Sequence, residues 1–276
     1  MVGIGGFGGC SAPDDILREM AKSYSAHGTP KNLCAVCGVS PGDLSEDGWG
    51  LSIIKAPGLV TSIYAAHVGM PPAVGRAVSA NQIAGYTVPL GVYGHLLRAI
   101  ASRKPGVITK IGLHTFCDPR LEGCKVNELA RESGREVVSL INIDGTEYLH
   151  YKPFRLDACI IRGSYADEYG NISLEEEAIY SEQAAMAAAV HNNGGTVIVQ
   201  VKGIFRRGRP RPAPRRDTGR ARRLRRRREA REPLTVLRRS AVPSRADRRC
   251  AREARLDRSR WRLRRARYAG VARPLR

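Results

Sequence analysis

A break in the chemistry of the chain near Phe205 sets the limits on what it can fold into. Residues 206–276 carry 29 Arg, no Lys and six acids, a net charge of +23. Residues 1–205 carry 17 Lys plus Arg against 20 Asp plus Glu, a net of −3, so the tail alone makes the whole chain +20. The tail also lacks Ile, Phe, Asn, Gln, Met and His. Few side chains remain there to build a core, and like charges repel, so disorder is the expectation. The missing residues are mostly written with A/T-rich codons and the abundant ones with G/C-rich codons, which fits a GC-rich coding sequence read out of frame. Two segments follow: a globular part, 1–205, and an Arg-rich tail, 206–276, disordered or out of frame. If the tail is genuine, its charge makes a nucleic-acid-binding protein the alternative reading. Arms of that kind usually interleave aromatics, and this one has Trp261 and Tyr268 only.

The first 205 residues alternate helix and strand signals. Met1 to Ile4 reads as the end of a strand, followed by a glycine run over Gly5–Gly9. Pro13, Asp14 and Asp15 read as a helix start, with Ile16, Leu17, Met20 and Tyr24 at helical spacing and Gly28 as the stop. Leu33 to Val39 reads as a strand, Val92 to Ser102 as a helix, and Val107 to Leu113 as another strand. Glu136 to Ile143, Asp144-Gly145 and Thr146 to Tyr151 form a hairpin pattern. Ala158 to Arg162 and Thr196 to Val201 are compact apolar strands. Ser173 and Glu176 have capping-box spacing, predicting a helix that runs to His191 and stops at Asn192–Gly195. Such alternation predicts an α/β layered fold with a largely parallel sheet covered on both faces.

Several motifs carry only bland readings. Gly3-Ile4-Gly5-Gly6-Phe7-Gly8 satisfies GxGxxG, but two residues precede it and Glu19 falls too early for a dinucleotide site. Cys34-Ala35-Val36-Cys37 is a single pair without a second at zinc spacing, so a structural role is expected and no metal site is assigned. His27, His67, His95, His114, His150 and His191 form no catalytic array; of these only His114 sits in a plausible ligand loop. Seven cysteines without a framework, no secretory start and no apolar stretch near the roughly 20 residues that span a bilayer predict a reduced cytoplasmic protein with no membrane partner.

Three stretches, in order, carry a resemblance. Gly5-Gly6-Phe7-Gly8-Gly9-Cys10-Ser11-Ala12-Pro13 is similar to the GGF-x-x-x-G-x-P signature of family I coenzyme A transferases, with Ser11 where that signature has Gly. Thr109-Lys110 with Gly112, Thr115 and Asp118-Pro119-Arg120 resembles the T-K-x-G-x-x-T-x-x-D-P-R stretch of the acetate and propionate branch. Arg162 with Ala166-Asp167-Glu168 and Gly170-Asn171 resembles the R-x-x-x-ADExGN segment, for which a structural role is the leading expectation. Val88-Pro89-Leu90-Gly91 stands where relatives commonly read P-Q-G, so Leu90 replaces an amide.

The resemblance implies the amino-terminal half of such an enzyme, a three-layer α/β/α domain of the CoA-transferase/NagB-like type with a mostly parallel sheet. It implies ping-pong transfer of coenzyme A between a short-chain acyl-CoA and a carboxylic acid, in short-chain fatty acid or ketone body metabolism. Coenzyme A is a substrate, so no cofactor is expected. The family nucleophile is a glutamate of the carboxy-terminal half; no residue here is assigned that role, and the chain is expected to be a truncated, inactive fragment. A homo-oligomer or a separately encoded carboxy-terminal half is the expected partner. Substrate-binding residues implied are Gly5, Gly6, Phe7, Gly8, Gly9, Gly112, His114 and Thr115. The glycines would let backbone approach a ligand, and the helix starting near Pro13 would offer free amide donors.

Overall fold

The structure is a computed structural model that describes residues 1–45, 48, 50–205, 234–239 and 261–265, the last two ranges as backbone strands. Strand β1 (Val2–Ile4) leads through the glycine turn into α1 (Asp14–His27), then β2 (Leu33–Val39), a short 3-10 helix (Gly50–Lys55) and β3 (Val60–His67). α2 (Pro72–Ser79), β4 (Ala84–Thr87) and α3 (Leu90–Ala101) follow. An insertion comes next: β5 (Val107–Thr109), α4 (Glu128–Glu132), β6 (Val138–Ile143) and β7 (Thr146–Tyr151). The chain then returns to the main sheet through β8 (Ala158–Arg162), β9 (Tyr165–Asp167), β10 (Ile172–Ser173), α5 (Gln183–Asn192), β11 (Thr196–Val201) and β12 (Gly203–Phe205).

The main sheet runs β14-β13-β11-β8-β1-β2-β3-β4, where β13 is Leu234–Arg239 and β14 is Trp261–Arg265. The stretch from β11 to β4 is parallel throughout; β13 and β14 add to its β11 edge antiparallel. The expectations of disorder and of nucleic-acid binding cover residues 206–276; of that tail the structure describes β13 and β14, which are strands and depart from the expected disorder, and the remainder lies outside the described residues. Strand alternation divides the core between two faces. Val36 of β2 joins Val92, Leu96 and Leu97 of α3 and Met186 and Val190 of α5. Ala35 and Cys37 join Leu17 of α1, Leu51 of the 3-10 helix and Val74 of α2. Helices therefore cover both faces, giving three layers. The same alternation separates Cys34 from Cys37: Cys34 packs against the first cluster and Cys37 lies in the second, so the pair cannot act together on one face.

Two expected elements differ. The strand expected over Val107 to Leu113 stops at Thr109, whose hydroxyl accepts from Ile111 N at 3.2 Å and turns the chain away. The helix expected from Ser173 begins at Gln183 instead. Glu176 N donates to Ser164 Oγ at 2.8 Å, and its carboxylate takes Tyr165 Oη and Lys202 Nζ at 2.6 and 2.9 Å. Three partners from other elements outcompete the local capping box.

Candidate substrate cleft

Strand order reverses at β1: the chain moves outward from it through β2, β3 and β4, then returns to pair β8 on its other side. Ligands of open α/β sheets sit beyond the carboxyl ends of the strands at such a point, and the glycine turn leaves β1 there. Gly5 N donates to Ile160 O at 2.8 Å, and Phe7 and Cys10 exchange backbone hydrogen bonds of 2.9 and 3.1 Å. Gly6 and Gly8 hold φ of 104° and 53°, which non-glycine residues rarely adopt. Ser11, where the signature has Gly, also has a positive φ of 54°, so the family's glycine at this point has a conformational reason. Ser11 Oγ reaches Ile179 O at 3.3 Å, tying the turn to the segment before α5.

A cavity of about 120 Å³ opens beside the turn. Ile4, Gly5, Gly6 and Phe7 form one side, Gly38 of β2 and Leu90 and Tyr93 of α3 another, and Ser181, Glu182, Gln183 and Met186 a third. Gly5 is required by contact: a Cβ there would lie 2.8 Å from Gln183 Oε1. That oxygen accepts from Arg162 N at 2.8 Å, and Arg162 pairs Glu177 at 3.3 Å through a carboxylate whose side chain is 2% exposed. Glu182 pairs Arg98 at 3.1 Å. Leu90 turns an apolar side chain, not an amide, to the cavity.

Gly8 and Gly9 line a separate depression with Ala12, Asp14, Gly42 and Asp43. Burial raises the Asp14 carboxyl above its usual range, against the pull of the Gly50 amide that donates to it at 2.7 Å. Two carboxylates make this hollow unsuited to a bare phosphate. The expected free amides of α1 are also occupied: Gln200 Oε1 accepts from Asp15 N and Ile16 N at 3.1 and 3.4 Å, and Gln200 Nε2 donates to Asp15 Oδ2 at 3.0 Å. A glutamine of β11 caps the helix that Pro13 cannot cap, so the anion-binding role expected of this helix start is withdrawn.

Gly112, His114 and Thr115 follow β5 of the antiparallel sheet β5-β7-β6 and line neither the cavity nor the depression. The argument from the carboxyl end of a parallel strand therefore does not extend to them. Their loop is held internally. Thr115 Oγ1 donates to Gly112 O at 2.8 Å, and His114 N donates to Asp118 Oδ2 at 3.0 Å. Asp118, 1% exposed, binds Arg120 at 2.8 Å, and hydrogen bonds from Arg120 hold its carboxyl well below the usual range. Asp167 has the corresponding role in the third motif. It accepts from Tyr169 N and Asn171 N at 2.9 and 2.8 Å, and these bonds with the Asn171 amide outweigh burial and lower its carboxyl. The motif is a turn that closes on itself. Among the described residues, no cluster of three or more His, Cys, Asp or Glu could hold a metal, and no helix is long and apolar enough to cross a membrane.

Tyr93, Glu182 and Gln183 were not singled out from the sequence. They come from two helices far apart in the chain, and nothing in their local pattern marks them.

Known proteins are similar to this chain in sequence and fold. The family model for coenzyme A transferase matches residues 1–213. The caffeate CoA-transferase of Acetobacterium woodii is 43% identical over 201 residues, covering 73% of this chain and 37% of that protein. The alpha subunit of the acetoacetyl-CoA:acetate/butyrate CoA transferase of Clostridium acetobutylicum is 28% identical, covering 61% of this chain and 65% of the subunit. Among solved structures, the acyl-CoA transferase YdiF of Escherichia coli O157:H7, as a thioester complex with CoA, superposes with a TM-score of 0.71 at 33% identity, over 76% of this chain and 40% of that one. The chain thus spans about two-fifths of the first relatives it matches. With a family model over residues 1–213 and a three-layer fold whose glycine turn sits at the switch point, the chain belongs to the coenzyme A transferase family.

Proposed function

We propose that this protein takes part in moving coenzyme A between a short-chain acyl-CoA and a carboxylic acid, with a carboxy-terminal half supplied by a partner chain. The carrying observation is the open cavity at the switch point, walled by the glycine turn and apolar side chains but lined by no carboxylate free to act as nucleophile. Glu182 is engaged by Arg98, and Glu176 and Glu177 are engaged by Lys202 and Arg162. In the ping-pong scheme a partner glutamate attacks the thioester carbonyl, forming an acyl–glutamyl anhydride as the C–S bond breaks and CoA leaves as thiolate. The thiolate then attacks the glutamyl carbonyl, releasing the first acid and leaving a glutamyl-CoA thioester. The second acid reverses these steps. This chain's share is to hold the acyl group while the charge moves.

The reading is tested with acetyl-CoA and propionate, following propionyl-CoA by chromatography. No product is expected from the chain alone. Product is expected when the carboxy-terminal half of the Acetobacterium relative is added, and none when the chain carries Gly6→Val, which blocks the turn. Absence of product in every mixture overturns the reading.

A further inference from the structure

We propose that the hollow between α5 and the β8–β11 part of the sheet is the docking surface for the carboxy-terminal half of the transferase; this rests on the proposed transferase reading and names the surface its partner covers. The hollow encloses about 360 Å³, roughly twelve waters' share of liquid. Its floor is apolar: Val197 and Val199 alternate along β11, and Ile161 of β8 is the cross-strand neighbour of Val199. One wall is α5, where Ala184, Ala187 and Ala188 follow the i, i+3, i+4 spacing of a single helix face. Ile172 and Leu174 form another wall. Ala184 and Ala188 are exposed, and Val197, Ile172 and Leu174 are only half-buried, so branched apolar side chains remain for a partner to cover.

The occupant follows from where the family match ends. The match runs to residue 213, and the last described strand within it is β12. Across the small sheet Ile172 pairs Ala166 and Ala166 pairs Ile204, so a wall of the hollow lies two strands, about 10 Å, from β12. A half that takes up the fold where β12 leaves it meets Ile172 first. Other covers fit less well. The Arg-rich tail has no Ile, Phe or Met and 29 Arg among its 71 residues, and those charges would have to be desolvated in an apolar hollow. β13 pairs the backbone of β11, which extends the sheet sideways and leaves the space above it open. A second copy brings the same charge of +20 and is repelled in dilute buffer.

The full chain, labelled and at trace concentration, is titrated with the carboxy-terminal half of the Acetobacterium relative by fluorescence anisotropy. The titration is run in dilute buffer and in 1 M salt, where the screening length is about 3 Å. Two variants act on the hollow by different means: Ala188→Glu places a charge on its rim, and Ala184→Trp fills it with a side chain of this protein. Both positions are exposed, so both variants should melt with wild type. Leu121→Glu is the control, since Leu121 is apolar and 63% exposed but lies on the insertion. The half should bind at both salt concentrations, and each hollow variant should weaken binding about tenfold or more, with Leu121→Glu unchanged. Binding and propionyl-CoA formation that survive both hollow variants overturn the surface and leave the transferase reading standing. Loss with Leu121→Glu instead moves the contact to the insertion and has the same consequence. Binding that disappears in 1 M salt and ignores both hollow variants is capture by the tail's charge, which also overturns the surface. Equal affinity for unlabelled copies of this chain makes a second copy the occupant and overturns it too. No complex with wild type overturns the surface, and no product beside it overturns the transferase reading as well.

Discussion

Two carboxylates near the site respond to acid in opposite senses. Asp14 is raised by burial, so its ionised form is disfavoured in the folded state. Stability is then highest below the unfolded value of about 4 and declines as pH rises through the folded value. Asp14→Asn keeps an oxygen for Gly50 N and removes the charge, so variant and wild type should melt alike in acid and the variant higher near neutrality. A lower melting point for the variant at neutral pH contradicts the burial argument. Asp118 is lowered, chiefly by Arg120, so its contribution is present above about pH 4 and fades as pH falls below that. Asp118→Asn should lose about 2 kcal/mol in neutral denaturant titrations and converge with wild type in acid. Several features at this scale were legible because their causes are local. Asp144 and Gly145 take positive φ of 50° and 78°, as their dipeptide predicts, and Gly28 ends α1 with φ of 66°. Tyr93 and Gln183 were not legible, because only the packing of α3 against α5 brings them to one cavity.

At the scale of elements, the outcome turned on whether local signals had distant competitors. β2, β7, β8 and β11 begin and end as their apolar runs predict, since each run is buried on both faces of a sheet or closed by a hairpin. The capping box at Ser173 failed because Ser164, Tyr165 and Lys202 claim Glu176 first. The start of α1 falls where Pro13, Asp14 and Asp15 predict it, but the residue that caps it, Gln200, lies at the other end of the globular part. Gln200→Leu therefore tests an element through a remote residue. It leaves two helix amides without their partner and removes one donor from the Asp15 carboxylate, which keeps Arg18 at 3.4 Å, so a loss of about 2 kcal/mol is expected. That shifts the melting point by roughly 4–8 °C for a domain of this size. Gln200→Glu keeps an acceptor for the amides but sets a second carboxylate beside Asp15, so it should be destabilising as well and recover in acid. An unchanged melting point for Gln200→Leu shows that the helix start does not depend on β11.

For the whole molecule, the question is how the face of the sheet next to α5 meets solvent. α5 is rich in alanine, and Ala184, Ala187 and Ala188 line a cavity of about 360 Å³ with Ile161, Val197 and Val199. Small side chains leave a hollow above the sheet, although Ile161 and Val199 beneath it are themselves buried, and an open apolar hollow of this kind favours association. The Arg-rich tail opposes association at low salt, because chains carrying an excess of +20 repel each other. The two effects separate by range. In 1 M salt the screening length falls to about 3 Å, which removes the repulsion and leaves apolar contact intact. Light scattering of the full chain should therefore show a monomer in dilute buffer and concentration-dependent growth in high salt. Ala188→Glu places a charge on the exposed rim of the hollow and should restore the monomer at salt concentrations that still screen repulsion between whole chains, because its effect comes from desolvation on contact. Equal association of Ala188→Glu and wild type moves the contact elsewhere on the surface. A monomer at every salt concentration shows that the alanine face is sufficiently covered as it stands.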